Sequence, residues 1–423
     1  MQHISWVDMK HNTLILLCDS YPLSAGEFFI DDEMRVIAPK FDKVLIYTAS
    51  ADSGKNLNRF VPDNAEVVSF SRQKFEAGKL KSIFRIFTPM FIAEFFFALK
   101  KLPLKYWLSA LKIMYVDMHR ATNLKKELMA LCKAKNIDMA DCVFYSYWHD
   151  YKALALAMLR GKNQNLKCVA RAHGWDNFAD RHEPQYLPFK GFIIKKLSQT
   201  YTISQKGKEA FEEYLNIKID SKVTVSRLGK FNRRLPLFET CDNRFLICSC
   251  SNLIPLKRVD RIIEVLSSLN VENLHWVHFG DGLLREELLQ YAHKMLPNVQ
   301  YEFKGIVPNN EILDFYAGNY VDLFINLSSS EGIPVSIMEA LSAGIPVVAT
   351  DVGGTAEAVN DENGFLIPAA EFDNAEVAKK ISAYLSLSDE ERLSYRRRAY
   401  RFWRENYEAE KNYEAFCRTI IDS

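Results

Sequence analysis

No stretch of these 423 residues stays apolar over the about 20 positions that a membrane-spanning helix needs, so a helical span is excluded. The eight cysteines, Cys18, Cys132, Cys142, Cys168, Cys241, Cys248, Cys250 and Cys417, form no C-x-x-C pair. Four of them, at 18, 142, 168 and 248, fall inside strand-like runs, and Cys248 and Cys250 share one face of a strand. That usage fits buried thiols in a reducing compartment better than a metal knuckle. No D-x-D pair of carboxylates occurs anywhere, which weakens a metal-dependent reaction, and we expect neither a metal nor a bound cofactor. A surplus of one charge is also missing: 54 Lys and Arg face 53 Asp and Glu, a net charge of +1, which argues against a general nucleic-acid binder. The opening MQHISWVDMKHN lacks a basic and apolar leader, so no signal peptide is expected and the cytoplasm is the expected compartment.

What the chain does have is alternation. At 423 residues it exceeds what one core usually holds, and 48% hydrophobic with 25% charged residues is ordinary for a globular protein. In the first half, TLILLCD (13–19), KVLIYTA (43–49), VVSF (67–70), CVFYSYW (142–148), KCVARAH (167–173) and TYTIS (200–204) read as strands separated by helical stretches. The second half repeats the pattern with RFLICSCS (244–251), LHWVHFG (274–280), VQYEFKG (299–305), VDLFINL (321–327), IPVVAT (345–350) and GFLIP (364–368). Such alternation means parallel sheets covered on both faces, hence an α/β chain of two doubly wound, Rossmann-like domains. The boundary is expected near Gly229, where VTVSRLGKFNRRLPLFETCDN passes from strand to polar linker, giving domains 1–228 and 229–404. The last segment, from DEERLSYRRRAYRFW to the end, reads as a long amphipathic helical region.

The most informative string is SSSEGIPVSIMEALSAGIPVVATDVGGTAEAVNDENGFLIP (328–368), with Glu331 and Glu339 eight positions apart across a strand-to-helix junction. Pro334 suits the first turn of a helix that Gly344 stops, so the unit is strand, loop, helix, strand. In such a unit the loop after the strand and the helix N-terminus face the ligand crevice. Amides from about Val335 to Ile337, Ser336 among them, are then available to an anion. Gly332, Ile333 and Pro334 complete the ligand-facing segment after Glu331. A phosphate held between two hydroxyl-accepting carboxylates describes a nucleotide sugar, with Glu331 on sugar hydroxyls and Glu339 on the ribose diol. Taken singly, Glu331 reads equally as a first-turn dipole partner and Glu339 as a solvated helix residue.

The same string resembles the E-x7-E segment of the retaining GT-B glycosyltransferases of family four, the bacterial sugar transferases that build capsules, lipopolysaccharide and exopolysaccharide. The resemblance implies a GT-B fold whose two domains face each other across a cleft, with a C-terminal helix, 405–423, crossing back to the first domain. It places the first glutamate beside the donor sugar and the second on the ribose. SNLIPLKRVDRII (251–263) resembles the family segment whose arginine and lysine neutralise the donor diphosphate: Lys257 matches the lysine, while Asn252 stands where the arginine would. Arg258 is the candidate to compensate. HFGDGLLREEL (278–288) resembles the family's G-x-G turn, and the nucleobase is expected near Gly305 to Pro308. In DVGGTAEAV (351–359), Gly353 permits close backbone approach, for a phosphate or for a tight turn alike.

In the first domain, Gly26 of DSYPLSAGEFF (19–29) is the candidate for the family's glycine-containing loop, before a helix expected near Glu27. His173 ends the fifth strand and matches the family's histidine there, a catalytic candidate with Glu331 and Lys257. His149 is the alternative. Residues 72–113 mix phenylalanines with nine lysines and arginines against Glu76 and Glu94, a composition suited to an anionic membrane surface, although Pro89 and Pro103 are expected to break it into short helices that could equally pack on the sheet. The resemblance implies transfer of a hexose or N-acetylhexosamine, without a metal, from a UDP- or GDP-linked donor to a lipid-linked oligosaccharide, by a peripheral enzyme on the inner face of the membrane. Asn252 in the arginine position keeps a second class open, a non-catalytic nucleotide-sugar-binding scaffold of a polysaccharide assembly complex.

Overall fold

The computed structural model describes residues 11–24, 27–49, 59–69, 86–219, 221–234, 236 and 244–422. The chain divides into two compact units, Met1–Leu228 with Ala409–Ser423, and Gly229–Glu408.

Unit 1 carries a seven-stranded parallel sheet in the order β3-β2-β1-β4-β5-β6-β7. Its strands are β1 (His11–Cys18), β2 (Phe41–Thr48), β3 (Ala65–Ser69), β4 (Cys142–Ser146), β5 (Lys167–Ala172), β6 (Gln199–Thr202) and β7 (Val223–Val225). Sequence and structure agree on six of these to within a few residues at their ends, although Phe70 lies outside the described residues. Leu14, Ile15, Leu16, Leu17 and Cys18 are all fully buried, because a central parallel strand is covered on both faces and reads as an unbroken apolar run. At the edge, β3 is only half-buried.

Unit 2 has a six-stranded parallel sheet, order β10-β9-β8-β11-β12-β13. It consists of β8 (Phe245–Cys250), β9 (Leu274–Phe279), β10 (Gln300–Phe303), β11 (Leu323–Asn326), β12 (Val347–Asp351) and β13 (Gly364–Pro368). In both sheets the order reverses beside the first strand, between β1 and β4 and between β8 and β11. At such a switch point the loops leaving neighbouring strands diverge to opposite faces and open a crevice at the carboxyl ends.

Several expectations shift. The first helix begins at Phe29 rather than near Glu27, because the Glu27 carboxylate turns back to accept the amides of Asp19, Ser20 and Tyr21 at 3.0, 2.7 and 2.8 Å. Residues 72–85 of the basic segment lie outside the described residues. The rest forms a helix Pro89–Lys101, opened by Pro89 behind a Thr88 cap, and a 28-residue helix Trp107–Ala134. The second is therefore not short: Pro103 sits before it and so interrupts nothing. Among the described residues no helix is long and apolar enough to cross a membrane. The C-terminal region is two helices, Asp389–Asn406 in unit 2 and Ala409–Asp422 in unit 1.

The C-terminal helix is fastened through a buried cation. Arg171 on β5 pairs with Glu33 of the helix Phe29–Ile37 at 2.7 Å, both side chains wholly buried, and its guanidinium lies 3.9 Å from the Phe416 ring centre. Burial pushes the Glu33 carboxyl up while the neighbouring guanidinium pulls it down. Removing one partner strands the other charge, so Glu33→Ala should cost about 3–5 kcal/mol in denaturant unfolding. A loss under about 1 kcal/mol would show that the pair does not hold this helix.

Candidate functional site

The two loops at the unit 2 switch point are tied to each other. After β8 the chain runs through a 3-10 turn, Pro255–Lys257, and the loop after β11 lies against it, with the Ser329 amide donating to the Leu256 carbonyl at 2.9 Å. That contact sets Lys257 Nζ 2.6 Å from Glu331 Oε1. Glu331 is 6% exposed and precedes the helix Val335–Ser342, so it is not a first-turn residue, and Glu339, 4% exposed, is not the solvated helix residue that it allows when taken singly. Lys257 ends the 3-10 turn, two residues before the helix that opens at Val259.

Gly353 is explained by backbone contact. It adopts φ +56°, and a β-carbon there would fall 1.7 Å from the Glu331 carbonyl oxygen. Beside it, the Gly354 amide donates to the Gly332 carbonyl at 2.7 Å. The glycine pair thus holds the Glu331–Gly332 backbone in place, which accounts for it without a phosphate.

Pro334 is the N-cap of the helix Val335–Ser342 rather than part of its first turn, and Ile333 beside it is buried. The Ile337 amide is spent on the Pro334 carbonyl at 3.1 Å, which narrows the anion-facing amides of the sequence reading to Val335 and Ser336. Glu339, inside this helix, receives Asn309 Nδ2 at 2.6 Å and Lys230 Nζ at 3.4 Å, both on Oε1. Neither donor was singled out from the sequence. Asn309 lay in the segment expected to hold the base, but Lys230 looked like linker, and no local pattern marks it.

Asn252 is exposed two residues beyond β8. Arg258 does not compensate for it here: it takes a left-handed conformation, φ +48°, and its guanidinium grips Asp260 at 2.9–3.1 Å. Gly305, at φ +68°, pairs its carbonyl with the Gly280 amide at 2.8 Å, joining the turn after β9 to the segment after β10. Cys250 lies close to both Glu339 and Lys257; burial, then the Glu339 charge, pushes its thiol up to about 12, so it is inert as a nucleophile.

Unit 1 carries its own constellation. Gly26 lies outside the described residues. His173, 6% exposed, follows β5 and stacks on Tyr147 with ring centres 4.6 Å apart and near Trp148 at 4.8 Å. Burial, with Arg171 adding to it, pushes its pKa well below the usual histidine range, so the ring is neutral. Its Nε2 meets no hydrogen-bond partner among the described residues. His149 differs: fully buried, it takes Lys190 Nζ at 3.2 Å on Nδ1 and faces Thr200 Oγ1, a satisfied core histidine.

Unit 1 also holds a cavity of about 1120 Å³, walled by Lys112, Asp117 and Arg120 from one helix, Asp19 and Asp150 from the segments after β1 and β4, and Trp175, Tyr186 and Lys190. Burial, reinforced by the Asp150 charge, pushes Asp117 up to about 7, and burial pushes Asp176 up to about 6. Asp176 accepts the His149 and His173 amides, so Asp117 is the carboxyl at this wall that near neutrality both donates and accepts hydrogen bonds, which suits a hydroxyl-rich ligand.

Residues 238–402 match the family described as glycosyl transferases group 1. Over 214 residues the chain is 28% identical to the O-antigen biosynthesis glycosyltransferase WbnH of Escherichia coli, covering 49% of this chain and 58% of that protein. Over 210 residues it is 32% identical to the putative colanic acid biosynthesis glycosyltransferase WcaL of Escherichia coli K12, covering 47% and 50%. The chain thus spans about half the length of the curated relatives it matches. Among solved structures, HepE of Anabaena in complex with UDP and glucose superposes with a TM-score of 0.65 at 16% identity, over 98% of this chain and all of that one, which shows the fold.

Gly353→Ala should displace the Glu331–Gly332 backbone and lower thermal stability. An alanine variant with wild-type melting would mean that this close approach does not hold Glu331.

Proposed function

We propose that this chain, whose second unit belongs to the group 1 glycosyl transferases and which has the GT-B fold, moves a hexose or N-acetylhexosamine from a UDP- or GDP-linked donor to a glycan acceptor in cell-surface polysaccharide synthesis. The observation that carries the reading is the Lys257–Glu331 pair at the unit 2 switch point, with Glu339 buried at the fifth position of the helix that follows. Lys257 and the Val335 and Ser336 amides take the diphosphate, Glu331 the sugar hydroxyls, and Glu339 the ribose diol. Lys257 and Glu331 satisfy each other's charge; a donor inserts phosphate and hydroxyls between them, replacing one buried contact with two.

The reaction proceeds with retention and without a metal. The bond from the anomeric carbon to the diphosphate oxygen breaks, the acceptor hydroxyl adds on the same face, and its proton passes to the departing phosphate. Lys257 and the helix amides stabilise the charge that develops on that phosphate. His173, neutral and with Nε2 unspent, serves as a hydrogen-bonding group rather than a cation. The unit 1 cavity, with its carboxyls and aromatic rings, takes the acceptor.

The acceptor is lipid-linked and the enzyme sits peripherally on the inner face of the membrane. Exposed Phe87, Ile92, Phe96, Leu104 and Leu108 alongside exposed Lys100, Lys105 and Lys112 support this.

Three experiments test these readings. In thermal shift against UDP, GDP and their sugars, one nucleotide class at millimolar concentration should raise the melting temperature, as ligand binding to the folded state requires. Glu331→Ala should abolish sugar transfer; binding without any turnover in the wild type would support a scaffold instead. In flotation, the protein should bind anionic vesicles, and Lys100→Glu with Lys105→Glu should release it. Lys101 is left unchanged because its ammonium is bonded to the Tyr214 carbonyl at 3.0 Å. No flotation of the wild type would remove the membrane reading.

A further inference from the structure

The segment after Gly229 reads in the sequence as a linker, yet in the structure it is fastened onto the helices that hold Glu339. Lys230, 8% exposed, points its ammonium at Glu339 Oε1. Two residues on, Asn232 Nδ2 donates to Ser342 Oγ at 2.9 Å and to its carbonyl at 3.2 Å, at the end of the helix that carries Glu339. Arg234 bonds Asp314 and the Asn310 carbonyl on the helix Asn309–Gly318, whose first residue is the other donor to Glu339.

Lys230 is also where the two chain connections meet. The chain leaves unit 1 after Leu228 and rejoins it at Ala409. Between those points Lys230 forms an isolated parallel bridge with Glu408, and its amide donates to the Tyr407 carbonyl at 2.8 Å. One residue therefore has its backbone on the second connection and its side chain on a donor-site carboxylate.

We propose that Lys230 is a positioning residue that ties Glu339 to both connecting segments, so that a ribose diol bound at Glu339 is registered at residues 229–230 and 407–408. The inference rests on the reading of unit 2 as a nucleotide-sugar site. A diol donates to the carboxylate whose oxygen Lys230 and Asn309 already share. At 3.4 Å the ammonium lies beyond the usual 2.7–3.2 Å hydrogen-bond range, so it is an ion pair that shifts as the diol arrives. Asn309, at 2.6 Å, is the tighter partner and stays. A shift of the Lys230 side chain loads the amide that pairs with Tyr407, a hydrogen bond between the connections.

The test compares UDP or GDP, whichever stabilises the wild type, with its 2′-deoxy form, using calorimetry for affinity and hydrogen exchange for peptides spanning 226–234 and 404–410. In the wild type the ribonucleotide should bind at least about tenfold tighter, the scale of one lost polar partner, and should slow exchange in both peptides where the deoxy form does not. Lys230→Met should shrink that preference and abolish the protection, while Lys230→Arg retains both. A merely structural lysine would lower stability without altering diol discrimination. If Lys230→Met folds poorly, the wild-type exchange comparison decides alone: equal protection by both nucleotides overturns the proposal. Binding by the wild type with an unchanged Lys230→Met variant overturns the role of Lys230 only. A wild type that binds neither nucleotide overturns the donor-site reading itself, and this inference with it.

Discussion

Charge buried at the carboxyl ends of parallel strands is the constraint on which the rest of this structure depends. A carboxylate taken out of water without a partner is too costly to keep ionised, and Glu27, Glu33, Glu331 and Glu339 are each met by a cation or an amide. In unit 2 the sheet order places the loops after β8 and β11 side by side, and Lys257 and Glu331 meet because the strands that deliver them are neighbours. Gly353 and Gly354 then hold the backbone that presents Glu331. On the proposed reading, Lys257 is the partner for a ligand's phosphate and Glu331 the partner for its hydroxyls.

Unit 1 meets the same constraint differently. Glu27 gathers three backbone amides and the Trp148 indole at the end of β1, and Lys152 is wholly buried between Asp19 and Asp150. Arg171 and Glu33 anchor the C-terminal helix from beneath. Asp19 and Asp150, the partners of Lys152, line the cavity together with Asp117 and Asp176, whose carboxyls burial pushes up.

Much of this was legible in the residues. Parallel strands buried on both faces must be apolar throughout, so TLILLCD and VDLFINL announce themselves, and strand-to-helix punctuation fixes which residues leave the carboxyl ends. Less legible were the places where a side chain folds back on its own loop. The first helix starts late because Glu27 is committed to amides before it, and Arg258 is lost to the site because it turns to Asp260 two residues away. Both are choices among local partners of similar energy that periodicity does not rank.

The sequence by itself determined the two α/β units, the order of their strands along the chain, and the presence of Glu331, Glu339 and Lys257 on segments that leave strand ends, because periodicity and turn chemistry are local. Only the tertiary structure decided which charges meet. Lys257 reaches Glu331 across 74 positions of sequence, and Lys230 reaches Glu339 across a separation larger still. Such partners are chosen by strand order and by the cost of leaving a buried charge alone, and neither leaves a mark in the residues on either side.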